Sequence, residues 1–183
     1  LAILNGFLLG RIFIIQHDCG HKSFFRSRSA NDIIGTISSF FTFIPYKYWA
    51  ANHNFHHAHN GQIEHSGVGD IECLTVEQYS KLKLVDKIKY RIYRHPLYLF
   101  TIGGFFYVAI YNRFAFLKEG VFAKVKNSVK WANIVYAIIY VGLGYLIGFE
   151  DFFVVQLVNL FFFGTYALWF FYIQHQYETV YKS

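Results

Sequence analysis

The stretch WANIVYAIIYVGLGYLIGFEDFFVVQLVNLFFFGTYALWFFYI, residues 131–173, contains two apolar runs that are separated only by Glu150 and Asp151. The runs, 131–149 and 152–173, are each about 20 residues long, the length that a helix needs to cross a hydrocarbon core of roughly 30 Å. The stretch therefore predicts a hairpin of two membrane-spanning helices with an acidic turn. On this basis we expect an all-α membrane protein.

Basic residues near the hairpin predict its orientation. Those that precede it are Lys118, Lys124, Lys126 and Lys130. Because Lys and Arg are enriched on the cytoplasmic side of membrane proteins, we expect the hairpin to begin and end in the cytoplasm. This predicts an integral, multi-pass protein.

Weaker apolar segments precede the hairpin. Residues 1–16 form an apolar run that is short for a span, 33–45 are too few to cross as a helix, and 97–111 are borderline. Because basic residues flank 33–45 and 97–111 on both sides, we expect these segments to be interfacial or re-entrant helices at the cytoplasmic face. A membrane-spanning 97–111 is the alternative. Residues 75–94 predict one amphipathic surface helix.

Composition and charge support a membrane environment. Hydrophobic residues make up 55% of the chain and aromatic residues 22%, and they are concentrated in the apolar runs. The formal net charge of +6 would suit nucleic-acid binding, but 15 of the 17 Lys and Arg residues lie between Lys22 and Lys130, in segments that flank apolar stretches. We therefore expect no nucleic-acid partner. Cys19 and Cys73 form no disulfide framework, and we expect Cys19 to be a packing residue.

Residues 1–183 are expected to form a single domain. The chain contains no methionine, so we expect it to be an internal segment that is truncated at both ends.

Three histidine clusters are the candidate functional residues: HDCGH (17–21), HNFHH (53–57) and QHQYE (174–178). On a helix, positions i and i+4 share a face, so His17 can lie beside His21. His53 can likewise share a face with His56 and His57. The expected topology brings all three clusters to the cytoplasmic side. The predicted metal ligands are His17, His21, His53, His56, His57 and His175.

The nature of the site favours iron. Six imidazoles exceed the roughly three protein ligands of a catalytic zinc site, so two metal ions are the simpler expectation. Imidazole suits several metals. The apolar surroundings point to a lipid-like substrate, and oxidation of an unactivated C–H bond requires O2 and a redox metal. We expect His59, His65 and His95 to be surface or hydrogen-bonded residues instead.

These motifs resemble the membrane fatty acid desaturase family, in particular its Δ12/ω3-like acyl desaturases. HDCGH is similar to the first histidine box of the family and HNFHH to the second, while GVGDIECLTVEQY (67–79) and FYIQHQYE (171–178) are similar to the segments that follow in that group. The resemblance covers essentially the whole chain. A third box, another HxxHH, is absent from these residues, and we expect it beyond Ser183.

The resemblance implies an O2-dependent oxidoreductase of lipid metabolism. It implies a non-haem diiron centre held mainly by histidines, an acyl-lipid or fatty acyl substrate, and ferredoxin or cytochrome b5 as electron donor. The ring nitrogens of these histidines that do not bind metal need hydrogen-bond acceptors, and the expected acceptors are Asp18, Asp70 and Glu178. No general acid or base is predicted, and these 183 residues alone are expected to be inactive because the centre is incomplete.

Two alternatives remain open at the level of sequence. A fatty acyl hydroxylase or related oxygenase could use the same diiron centre. A membrane protein that binds metal without catalysis is the second alternative, and it rests on the missing third box.

Overall fold

A computed structural model describes residues 1–59, 62, 67–69 and 71–175, with Gln174 and His175 described as backbone alone. The described residues form helices and no strand, in agreement with the predicted all-α class. The α-helices are, in order, α1 (Ala2–Gly20), α2 (Arg28–Thr42), α3 (Tyr46–Ala58), α4 (Val76–Lys81), α5 (Leu84–Arg94), α6 (Pro96–Tyr98), α7 (Gly104–Ala109), α8 (Lys126–Ile147) and α9 (Phe149–His175). A π-helical turn (Leu99–Gly103) joins α6 to α7, and 3₁₀ turns lie at Tyr111–Arg113 and Gly120–Lys124.

Two helices in the described part of the chain, α8 and α9, are long and apolar enough to cross a membrane, as the sequence predicts. At 1.5 Å per residue, the 22 residues of α8 extend about 33 Å. The turn between them lies at Gly148, not at the predicted acidic pair. Gly148 adopts a φ of 105°, which a residue with a Cβ rarely adopts, so the chain reverses there. Glu150 and Asp151 instead occupy the first turn of α9, where negative side chains interact favourably with the helix dipole.

The apolar segments 33–45 and 97–111 lie largely within short helical elements. The helix α2 has 15 residues, about 22 Å. Residues 96–109 form a continuous helical run that packs against α9, where Gly104 lies against Gly164. A Cβ built on Gly104 would lie 2.3 Å from the carbonyl oxygen of Gly164, so the two backbones touch only because neither residue has a side chain.

The amphipathic helix predicted over 75–94 is divided in two. Thr75 and Gln78 form a capping box that starts α4, and the chain becomes extended at Leu82 and Lys83 before α5 begins. The break lets α5 fold back, so that Arg91 Nε donates to Tyr79 Oη at 2.7 Å. A single straight helix would hold these two side chains three turns apart.

The core lies where α1 packs against α2, α3 and α9. Its buried members are Cys19, Ile44, Tyr46, Trp49, Ala50, Val108, Leu160 and Phe163. Cys19 is fully buried among them, which confirms its predicted packing role.

A buried polar network fixes the end of α1. Gln16 Nε2 donates to the carbonyl oxygen of Ile44 at 3.0 Å, and Thr42 Oγ1 donates to Gln16 Oε1 at 2.6 Å. Tyr46 Oη also donates to the carbonyl oxygen of Cys19 at 2.8 Å. These bonds hold the last turns of α1 against the end of α2, the connection that follows it, and the start of α3.

Candidate metal centre

Two helix ends bring four histidines together. His17 lies in the last turn of α1 and His21 caps it, while His53 and His57 lie one turn apart near the end of α3. One ring nitrogen from each of the four lies within 4.8 Å of the others. The i,i+4 spacing within each pair therefore places both pairs on the facing sides of α1 and α3.

The spacing of the nitrogen atoms fits one metal ion. Ligand nitrogens about 2.1 Å from an ion lie about 3–4.2 Å from one another, depending on the angle between them. His53 Nε2 and His57 Nε2 are 3.0 Å apart, which matches two adjacent ligands of one ion. The four ring nitrogens are therefore close enough to one another that they could hold a metal ion.

Asp18 fixes the tautomer of His17. His17 Nδ1 and Asp18 Oδ1 lie 2.9 Å apart, and because a carboxylate only accepts, the proton is on Nδ1. The Nε2 lone pair of His17 is then free to bind a metal. A hydrogen bond of this kind is the usual partner of a ligating histidine.

Two neighbours on α3 orient the cluster further. The Trp49 indole stacks on the His53 ring, with centroids 4.7 Å apart and planes at 15°. Asn54 Nδ2 donates to the carbonyl oxygen of Gly20 at 3.2 Å, which ties α3 to the end of α1 beside His21. Neither role could be predicted from the sequence, because a Trp or Asn within four residues of a histidine is common on any helix.

Two imidazoles of the cluster, those of His21 and His57, have a lowered pKa. Desolvation lowers the pKa of His21, and the nearby His17 lowers it further. Although His57 is partly exposed, desolvation of its ring, followed by the proximity of His21 and other imidazoles, lowers its pKa to about 4. Neutral imidazole is the form that binds a metal.

His56 lies beside His57, with ring centroids 5.7 Å apart, but it is not among the four histidines whose nitrogen atoms converge. It is buried, and its ring lies 5.8 Å from the ring of Phe171 on α9, whereas it lies 6.4 Å from His53. The backbone of His175 lies one helical turn after Phe171 on α9. His56 on α3 is therefore near the end of α9, where the backbone of His175 lies.

The remaining candidates are placed as follows. Asp70, Glu178 and His65 lie outside the described residues. His59 caps α3, where its ring stacks on Phe55 and its Nδ1 donates to the Phe55 carbonyl oxygen at 2.8 Å. His95 is exposed at the boundary between α5 and α6.

Comparison with known proteins identifies the family. The family model described as fatty acid desaturase matches residues 1–183. A fatty acid desaturase of Bacillus subtilis is 34% identical over 99% of this chain and 51% of its own length. An sn-1 acyl-lipid omega-3 desaturase (ferredoxin) of Nostoc is 28% identical over 80% of this chain and 39% of its own length. An sn-1 oleoyl-lipid 12-desaturase of Synechocystis is 32% identical over 52% of this chain and 27% of its own length.

The chain spans about half the length, or less, of these curated relatives. No solved structure matches it. The family match covers every residue of the chain, and it includes both pairs of histidines that converge in the structure. The chain therefore belongs to the fatty acid desaturase family.

Proposed function

We propose that the protein is an acyl-lipid desaturase that introduces a double bond into an acyl chain with O2. The observation that carries this proposal is the convergence of His17, His21, His53 and His57 from two helices, in a chain of the desaturase family. Residues 1–183 would form one domain of this enzyme.

The proposed cofactor is a pair of iron ions. Four imidazole nitrogens within 4.8 Å suit one ion, and iron bound there would supply the O2-dependent oxidation of the acyl chain. His56 and His175 are the proposed ligands of the second ion. The support is that buried His56 lies against Phe171, one turn before His175 on α9.

The protein's own contribution is to hold the ligands and to leave one side open. Asp18 accepts from Nδ1 of His17 and so directs its other nitrogen inward, while the stacked Trp49 fixes the plane of His53. His53 is buried and His57 is exposed, so the cluster has a closed side and an open side. We propose that the acyl chain approaches from the side of His57.

The proposed topology is multi-pass, with the metal site on the cytoplasmic side. Lys126 and Lys130 lie at the start of α8, whereas Glu150 and Asp151 lie at the opposite end of the hairpin, a charge asymmetry typical of cytoplasmic and non-cytoplasmic ends. An electron donor from the cytoplasm is then required. Ferredoxin is the proposed donor, because the Nostoc relative is named as ferredoxin-dependent; cytochrome b5 is the alternative.

Product analysis tests the proposal. The full-length gene product would be expressed in a host that lacks the corresponding double bond, and extracted acyl chains would be analysed by gas chromatography and mass spectrometry. We expect a new double bond with the wild type and with His95→Ala, whose histidine lies outside the cluster, and none with His53→Ala. A hydroxylated acyl chain would replace the proposal with an oxygenase, and unmodified lipids from a folded, iron-loaded protein would reject catalysis.

A further inference from the structure

We propose that a basic groove at the start of α8 binds the headgroup of an anionic glycerophospholipid, at a site separate from the histidine cluster. The groove is an open cavity of about 690 Å³, within the range of about 300–1,000 Å³ that is usual for ligand pockets. Four cationic side chains line it: Arg113, Lys118, Lys126 and Lys130. Its lining, within the described part of the chain, includes no acidic residue and none of the clustered histidines.

One face of α8 changes from cationic to apolar along the groove. Lys126 and Lys130 are one turn apart, and Ile134 and Ala137 continue the same face at i+8 and i+11. From Lys126 to Ala137 the helix rises about 16 Å. A ligand that follows this face therefore meets positive charge first and hydrocarbon second, which is the polarity of a phospholipid.

Arg113 supplies a fixed positive charge beneath the groove. Its guanidinium lies 4.0 Å from the Phe43 ring centroid and 5.0 Å from that of Tyr136, and it donates to Asn133 Oδ1 at 3.0 Å and to the Phe43 carbonyl oxygen. No carboxylate of the described residues pairs with it. Burial lowers the pKa of Arg113 to about 10, so it remains charged at neutral pH.

The position of the groove selects a lipid over a soluble anion. The groove lies at the first turns of a helix that is long and apolar enough to cross a membrane, which is the level at which headgroups lie. Exposed Phe114 and Phe116 line it beside the lysines. A soluble anion would contact only the cations, whereas a glycerophospholipid would also cover the apolar part of the groove.

Native mass spectrometry of the full-length protein in a non-ionic detergent tests this site. Binding of phosphatidylglycerol would be compared with binding of phosphatidylcholine that has the same acyl chains, and with glycerol 3-phosphate. We expect phosphatidylglycerol to bind about tenfold or more tightly than either, because each cation near a headgroup favours an anionic lipid severalfold. The triple variant Lys118→Gln, Lys126→Gln, Lys130→Gln should lose this preference.

The matched control is the triple variant Lys81→Gln, Lys83→Gln, Lys89→Gln, which removes the same charge from exposed positions on α4, the α4–α5 connection and α5. It should keep the preference. Equal binding of the two lipids, an unchanged preference in the groove variant, or an equal loss in the control would each overturn the proposal. Glycerol 3-phosphate binding as tightly as the lipid would also overturn it, in favour of a soluble-anion site. The proposal does not depend on metal binding, and iron content serves as the check that both variants fold.

Discussion

The indole of Trp49 lies flat against the imidazole of His53, with ring centroids 4.7 Å apart and planes at 15°. Both rings are buried, so neither can rotate without displacing the other. Trp49 therefore acts as a positioning residue for a proposed metal ligand, and packing as well as hydrogen bonding shapes the centre.

Replacement of Trp49 should weaken metal binding. Trp49→Leu removes the stacking surface, and we expect about tenfold weaker Fe²⁺ binding, at the lower end of the range for residues that support ligands. Trp49→Phe should retain most of the affinity because a flat ring remains. Anaerobic Fe²⁺ titration measures both, and Trp131→Leu, at a side chain that is 65% exposed, is the control. Equal affinities for Trp49→Leu and the control would contradict a positioning role.

Loss of the Asp18 carboxylate should also weaken metal binding without unfolding the protein. Asp18 is 40% exposed, and its carboxylate accepts from Nδ1 of His17 at 2.9 Å. In Asp18→Ala, no carboxylate holds the proton of His17 on Nδ1. We therefore expect about 10–100-fold weaker Fe²⁺ binding with little change in thermal stability. Asp18→Asn retains an acceptor oxygen and should restore most of the affinity.

Asp86→Ala is the control for this substitution, because Asp86 lies on α5, outside the histidine cluster, and pairs with Lys89 at 3.7 Å. An Asp18→Ala protein that binds Fe²⁺ as tightly as this control would show that Asp18 does not orient His17.

Substitution at the crossing of α7 and α9 should destabilise the fold. A Cβ on Gly164 would lie 2.5 Å from backbone atoms of Gly104. We expect Gly164→Ala and Gly104→Ala each to lower the free energy of unfolding by about 1–3 kcal/mol or more, because a backbone cannot move aside as a side chain can. Denaturant unfolding in detergent micelles measures the loss.

Gly10 and Gly142 provide controls for these two variants. Both lie within helices, and a Cβ on either would meet no atom within 4 Å. Alanine at these positions should raise stability by up to about 1 kcal/mol through helix propensity. If all four alanine variants behaved alike, the close crossing would be wrong.

The hydrogen bonds of Gln16 to Ile44 and Thr42 should stabilise the fold as a unit. Gln16→Leu leaves the Ile44 carbonyl oxygen and the Thr42 hydroxyl without their buried partner, at a cost of about 1–3 kcal/mol. Thr42→Val in the same protein removes one of the orphaned groups. We therefore expect the double variant to lose less stability than the sum of the two single variants, as measured in a double-mutant cycle. Strict additivity would contradict the network.

The sequence predicted the spanning helices and the histidine pairs well because both depend on local periodicity. Two apolar runs of spanning length are sufficient for α8 and α9, and the i,i+4 spacing places His53 and His57 on one face of α3. The boundary at Gly148 was missed because a single positive-φ glycine outweighed the two acidic residues after it.

Features that depend on tertiary contacts could not be predicted in this way. The break at Leu82 and Lys83 contains no proline or glycine, so the local sequence does not predict it. It is accompanied by the hydrogen bond between Arg91 and Tyr79, which forms because α5 folds back on α4. The contact between the rings of His56 and Phe171 depends on where α9 ends relative to α3, which the spacing of the histidines does not determine. Burial of Arg113 under two aromatic rings likewise has no local signature.

Iron content of the purified protein tests the central claim most directly. The full-length wild type, His53→Ala, His57→Ala and His95→Ala would be purified in parallel and measured by plasma mass spectrometry for iron per chain. We predict close to two iron ions in the wild type and in His95→Ala, and a loss of iron in His53→Ala and His57→Ala, whose nitrogens lie in the four-histidine cluster. Iron that is unchanged by both cluster substitutions in folded protein would contradict the proposed metal centre.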